Sequence, residues 1–336
     1  MVFSVNDIPD LKGKVALVTG GNAGVGFETV KQLARKNAKV ILAARSPIKA
    51  KKAIQTIKDD YPNADVDFQL LDLSDLTSVH KAAKEVLDSC DRLDILVNNA
   101  GVMGLPYELT RDGLEVQMGT NVMGHYLLTL LLLPLLVKTA EGSEYSKTGR
   151  SVRIVHLASL GHWFSPFDAS FNDFDEFNKQ HWPEWLATHH RYHKSKVGNM
   201  LLCQEFQKCV PAHVAITNLS LHPGTVATDL LKDLDRSYSP RLASTVRWVA
   251  SKVLTPVAQG ALTQLYAATS PEVDRLGLKA EYLAPVGKVA MKRPLAADNS
   301  GKLGKGLMLF CNDYTKARLG VDAEKVLGEA GLKWPY

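Results

Sequence analysis

Seven short runs of β-prone apolar residues recur along this chain, at Lys14–Thr19, Lys39–Ala44, Val66–Leu70, Leu93–Val97, Ser151–Leu157, His213–Ser220 and Glu281–Leu283. Between them lie stretches with helical periodicity, among them Leu76–Cys90, Asp112–Val137 and Pro256–Thr269. Strands that alternate with helices are joined by right-handed crossovers, which make neighbouring strands parallel and put helices on both faces. The alternation therefore predicts an α/β fold, a doubly wound three-layer sandwich with a mostly parallel sheet of about seven strands. No second core is needed, so residues 1–336 read as one domain. An insert at 160–190 and a segment at 229–250 fall on the expected substrate side. Residues 285–336 read as a C-terminal extension with one plausible helix, Asp322–Leu327.

The first run ends in Gly20-Gly21-Asn22-Ala23-Gly24-Val25-Gly26, and helical spacing follows at Val30, Leu33 and Ala34. In a strand–turn–helix unit, glycines permit close backbone approach, and a helix N-terminus offers free N–H groups to a pyrophosphate. This placement predicts a Rossmann-type dinucleotide site. Arg45 stands directly after the second strand, where such folds meet the adenosine ribose. A guanidinium there suits a 2′-phosphate and argues for NADP over NAD, with Lys49 as a second cation. Asp72, in Leu71-Asp72-Leu73 after the third strand, is placed to reach the adenine amino group. Asn98-Asn99-Ala100-Gly101 follows the fourth strand as a polar loop that lines a cofactor or serves as turn chemistry.

Tyr192 and Lys196 stand four positions apart in a predicted helix and so share a face. A phenol beside an ammonium can exchange protons near neutral pH. Upstream, Asn121 is an amide among apolar neighbours, and Ser159 follows the fifth strand. Together, Thr19-Gly20-x-x-x-Gly24-x-Gly26, Asp72, Asn98-Asn99-Ala100-Gly101, Asn121, Ser159, Tyr192-x-x-x-Lys196 and Pro223-Gly224 resemble the short-chain dehydrogenase/reductase family in its single-domain branch. The resemblance runs from about Leu11 to Leu283. It implies that Tyr192 is the general acid/base and that Ser159 holds the substrate oxygen. Lys196 would lower the tyrosine pKa and hydrogen-bond the nicotinamide ribose, while Asn121 would position a water linking Lys196 to solvent. It also implies that Pro223-Gly224-Thr225 closes over the nicotinamide, with Thr225 or Thr228 bonding the carboxamide or phosphates.

One spacing departs from that family. Ser159 and Tyr192 are 33 positions apart, whereas the family commonly has about a dozen, so about twenty residues must loop out. The insert carries Trp163, Phe164, Phe167, Phe171, Phe174, Phe177, Trp182 and Trp185. These aromatics either fold back onto the scaffold or wall a pocket for a bulky apolar carbonyl compound. The insert and Gln259-Gly260 are similar to the retinol-dehydrogenase-like branch, although no membrane anchor is expected here. His162, His181, His189, His190 and His193 also cluster in and beside the insert. His189 and His193 have the i, i+4 spacing of a metal pair, but no Cys, Asp or Glu completes a set, and no metal is expected. Ser195 lacks the Gly-x-Ser-x-Gly elbow of a hydrolase nucleophile.

A formal charge of +5 could point to nucleic acid, but the basic residues are dispersed among acidic ones. Cys90, Cys203, Cys209 and Cys311 form no Cys-x-x-Cys pair and suit packed thiols in a reducing compartment. Met1–Asp10 shows neither region of a secretory signal, and the apolar run Leu127–Val137 is too short to span a bilayer. The resulting expectation is a cytoplasmic NADP(H)-dependent oxidoreductase, interconverting a ketone or aldehyde and an alcohol, with homo-oligomerisation left open. Its rival is an NADP-sensing regulator without turnover, against which Ser159, Tyr192 and Lys196 argue. An isomerase or dehydratase is a third reading, usually found with a different glycine spacing.

Overall fold

A computed structural model of the chain describes residues 2–142, 145, 148–180, 183–226 and 255–336. The strands are β1 (Val15–Thr19), β2 (Lys39–Ala44), β3 (Val66–Leu70), β4 (Ile95–Asn98), β5 (Val152–Leu157), β6 (Ile216–Leu221), β7 (Glu281–Ala284) and β8 (Lys288–Val289). The major helices are α1 (Gly24–Arg35), α2 (Pro47–Asp60), α3 (Leu76–Ser89), α4 (Gly124–Ala140), α5 (Glu184–Cys209), α6 (Val257–Thr269) and α7 (Lys302–Leu319).

The strands form one sheet in the order β3-β2-β1-β4-β5-β6-β7-β8. All pairs are parallel until β7 meets β8 antiparallel. The sheet thus has eight strands rather than about seven, since two residues beyond the glycine turn at Gly287 fold back onto β7. Core residues fall into two groups that use opposite faces of the same strands, Leu17 with one and Ala16 and Val18 with the other. That division is the three-layer sandwich expected from the alternation. Strand order reverses between β1 and β4, where doubly wound sheets bind ligands at their carboxyl ends.

The long apolar helix departs from its expected outline. It begins at Val116 rather than Asp112, because Glu115 caps it by accepting from the N–H groups of Gln117 and Met118. A π-helical stretch, Gly119–Met123, then interrupts it before α4. Val116–Ala140 is long and apolar enough to cross a membrane, yet most of its apolar window is buried inside the protein. It is a core helix, with Leu127, Leu130, Leu132 and Leu133 buried.

The C-terminal extension holds more helix than expected. Besides Ala323–Glu329 it contains the 18-residue α7, which Gly304 and Gly306 hide from a propensity reading. Each interior glycine costs about 1 kcal/mol against alanine. Here both permit close packing: a Cβ at Gly304 would stand 2.0 Å from Glu205 Oε1 on α5, and one at Gly306 3.2 Å from Asn172 Cβ. Burial of Leu307, Met308 and Cys311 offsets that cost, at about 1.5–3 kcal/mol for a large apolar side chain. The extension is thus part of the core.

Two histidines lie inside this core. His125 on α4 and His156 on β5 are each 1% exposed, and burial pushes their pKa values down to about 3 and about 4 from 6.5. Between those values and 6.5 the unfolded chain binds more protons, so stability falls as pH drops below about 6.5. Urea unfolding at pH 5 should show a loss of about 2 kcal/mol per histidine relative to pH 7.5. His156→Gln should remove part of that dependence. Equal stability of the parent protein at both pH values would contradict the buried neutral state.

Candidate active site

The glycine turn after β1 is held by its own crowding. A Cβ at Gly26 would lie 2.4 Å from both Gly20 O and Asn99 Nδ2, so only glycine lets α1 start this close to the β4 loop. Gly20 and Gly24 take φ of +65° and +55°. Asn99 Nδ2 donates to Thr19 O at 2.8 Å, while Thr19 Oγ1 accepts from the N–H groups of Asn99 and Ala100. Asn98 Nδ2 donates to Thr129 Oγ1 at 2.8 Å. The Asn98 side chain therefore ties β4 to α4, and that of Asn99 ties the β4 loop to the end of β1.

The start of α1 is available to an anion. Its N-cap, Ala23, has no side-chain cap, and no acidic residue stands in its first turn. A depression beside it is lined by Asn22, Gly24, Phe27, Lys49 and Lys52 among others. Free helix N–H groups beside two lysines fit the pyrophosphate of a dinucleotide. Val25 is buried behind the turn. Arg45 is exposed at the end of β2. Asp72 Oδ1 accepts from both the N–H and hydroxyl of Ser74, which orients the carboxylate at the end of β3, and Leu73 packs under Gly124. On the far side, Gly224 takes φ of +87° after Pro223, and Thr225 is exposed. Thr228 and the segment 229–250 lie outside the described residues.

Ser159, Tyr192, Lys196 and Asn121 come together at the carboxyl ends of β4 and β5. Ser159 follows β5 and caps the short 3-10 helix Leu160–Phe164, its Oγ accepting from the N–H of Gly161 at 3.0 Å. Its hydroxyl also hydrogen-bonds the phenol of Tyr192 on α5. Lys196, one turn on, donates to Leu157 O at 2.9 Å, and its Nζ lies 5.6 Å from the Tyr192 ring centroid. A Cβ at Gly101 would stand 3.2 Å from Asn121 Oδ1 and 3.4 Å from Lys196 Nζ. That glycine lets the β4 loop pass between the amide and the ammonium.

The electrostatics correct one expectation. Lys196 was expected to lower the Tyr192 pKa, but burial raises it above its ordinary value, with the Ser159 hydrogen bond opposing. Burial also brings Lys196 down to about 7. The pair thus presents a protonated phenol, able to donate to a substrate oxygen, beside an amine that exchanges protons near neutral pH. A nicotinamide bound alongside supplies or accepts the hydride.

The Asn121 side chain accepts from Val102 N–H at 2.8 Å and donates to Val102 O and to Ser195 Oγ. Ser195 Oγ in turn donates to Tyr192 O at 2.7 Å. Ser195 is therefore a strut between Asn121 and the catalytic helix. Neither this strut nor His125, which bridges Asn121 O and Thr19 Oγ1 at 3.0 Å each, shows a signal in the sequence.

The insert divides its aromatics. Phe171 and Phe177 are buried in the core, with Phe177 packed on Phe310 of α7 at 4.5 Å between centroids. Trp163, Phe164, Phe167 and Phe174 remain exposed, and Phe164 packs beside His193. Trp182 lies outside the described residues, as does the side chain of Trp185. His189 and His193 stack at 6.1 Å, and His193 packs over Gly161, where a Cβ would stand 2.6 Å from its ring.

The profile described as short chain dehydrogenase matches residues 14–152. The chain is 40% identical over 316 residues to a short-chain dehydrogenase/reductase of Armillaria gallica, covering 93% of this chain and 94% of that one. It is 36% identical to retinol dehydrogenase 11 of Mus musculus, over 79% of this chain and 76% of that one. An uncharacterized protein from Mycobacterium Paratuberculosis matches in structure with a TM-score of 0.66 and 26% identity, over 100% of both chains.

Proposed function

Because this chain belongs to the short-chain dehydrogenase/reductase family, we propose that it is an NADP(H)-dependent oxidoreductase that reduces the carbonyl of a bulky, largely apolar ketone or aldehyde. The carrying observation is the meeting of Ser159, Tyr192 and Lys196 at the carboxyl ends of the strands. Ser159 orients the carbonyl oxygen, and the Tyr192 phenol donates its proton to that oxygen as negative charge develops there. Lys196, with its pKa near 7, returns a proton to the site. Reduction is the preferred direction, on the expectation that a cytoplasmic NADP pool is held mostly reduced. Four free cysteines support a cytoplasmic setting. The exposed Trp163 and Phe164, on the short helix that Ser159 caps, support an apolar substrate.

The NADP preference rests on the exposed guanidinium of Arg45 directly after β2. A panel of aldehydes and ketones assayed with both reduced cofactors tests the activity. Replacing Arg45 by Asp should move kcat/KM from NADPH toward NADH by at least about 10-fold, since a 2′-phosphate then meets like charge. An unchanged cofactor ratio would remove Arg45 from this role.

A further inference from the structure

Three buried donors without partners belong to residues that contact His162, on the short helix that Ser159 caps. His162 is fully buried. Its Nδ1 lies 2.8 Å from Ser159 O, and Arg293 N–H donates to its Nε2 at 3.4 Å. These contacts make Nδ1 the protonated nitrogen and use both ring nitrogens. Arg293 itself is 5% exposed. Its Nη1 donates to Ser165 O, and its guanidinium sits 4.1 Å from the Phe167 ring centroid. Among the described residues Nη2 has no partner, and no carboxylate pairs with the charge. Ser165 Oγ, buried, is also unpartnered. So is Tyr282 Oη, whose buried ring packs edge-on against His162 at 4.9 Å.

Any one unpartnered hydroxyl could be a local defect, but a buried guanidinium without a counter-charge is far less tolerable. All three groups are donors, and one is a fixed positive charge. A small oxyanion is the kind of group that answers all of them. We propose that Arg293, Ser165 and Tyr282 form an anion-binding subsite beside Ser159 and Tyr192. It receives either the carboxylate of a carbonyl substrate or a free carboxylate ion. Burial holds the Tyr282 phenol well above its ordinary pKa, so Tyr282 remains a donor. The inference rests on reading Ser159 and Tyr192 as the reacting pair. It refines an apolar substrate into one that carries its negative charge near the carbonyl.

Two measurements on the full chain test this. Thermal melts in sodium acetate, against sodium chloride at equal ionic strength, should show a saturable rise in Tm for the parent protein and none for Arg293→Met. Turnover of 4-carboxybenzaldehyde and of its methyl ester should give an acid-to-ester ratio of kcat/KM that falls at least about 10-fold in Arg293→Met. A shifted melt without a shifted ratio supports the subsite with a free anion as its occupant, and a shift in both supports the substrate carboxylate. Unshifted melts and ratios, or equal responses in the variant, overturn it. If Arg293→Met fails to fold, the double variant Ser165→Ala, Tyr282→Phe carries the test, since it removes only unpartnered hydroxyls. It should melt no lower than the parent without acetate and respond less to it, and an undiminished response overturns the subsite. If no carbonyl compound is turned over, the proposed activity fails, while the acetate melts still decide the subsite.

Discussion

Replacing Tyr192 by Phe should lower kcat by about 10²–10⁴-fold, the usual contribution of a positioned general acid. The binding of reduced cofactor should stay close to that of the parent protein. The ring is 7% exposed and the change removes one oxygen, so packing on α5 persists. What disappears is the proton donor and its hydrogen bond to Ser159. Steady-state turnover and cofactor fluorescence, measured on the same sample, separate the two effects. A variant that keeps a near-normal rate would require a different acid, and a variant that loses cofactor binding in parallel would make Tyr192 a structural residue.

Replacing Arg191 by Met should destabilise the fold by about 3–5 kcal/mol, because it leaves a buried carboxylate uncompensated. Arg191 is 2% exposed, its Nε stands 3.3 Å from Glu115 Oε1, and its Nη2 donates to Glu184 Oε1 at 2.5 Å. Glu115 is fully buried as the cap of the helix that leads into Asn121. Burial raises its pKa, and Arg191 is among the groups that lower it. A raised folded value means that Glu115 favours folding when protonated and that this contribution is lost as pH rises through that value. Without Arg191 the loss grows, so the gap between variant and parent in urea unfolding should be wider at pH 8 than at pH 5. A gap that does not depend on pH would place the cost in lost packing. Arg191 sits immediately before Tyr192, so the variant should also lose turnover before it unfolds.

The fold and the candidate reacting residues were legible in the sequence because the patterns that encode them are short. A β-prone run, a glycine turn and helical spacing lie within about twenty residues around Gly20–Gly26, and each local choice requires the same architecture. Tyr192 and Lys196 share a face through helix geometry alone. Where the reading fell short, contacts between distant segments decided. Gly304 and Gly306 read as helix-weakening residues until Glu205 and Asn172 occupied the space above them. The insert aromatics had no readable fate until Phe310 of α7 met Phe177.

The pKa values belong to the same class. Spacing places an ammonium near a phenol, but the direction of the shift depends on how much water is excluded, and here burial outweighs the neighbour. By itself, then, the sequence determined an α/β sandwich, a glycine turn between strand and helix, and a tyrosine and a lysine on one helix face, all properties of local periodicity and spacing. Only the tertiary structure decided that Glu115 braces Arg191, that Ser195 braces Asn121, and that Arg293 reaches across 131 positions to His162 beside the catalytic serine. Burial and pairing are set by which distant segments meet, and no run of neighbouring residues carries that information.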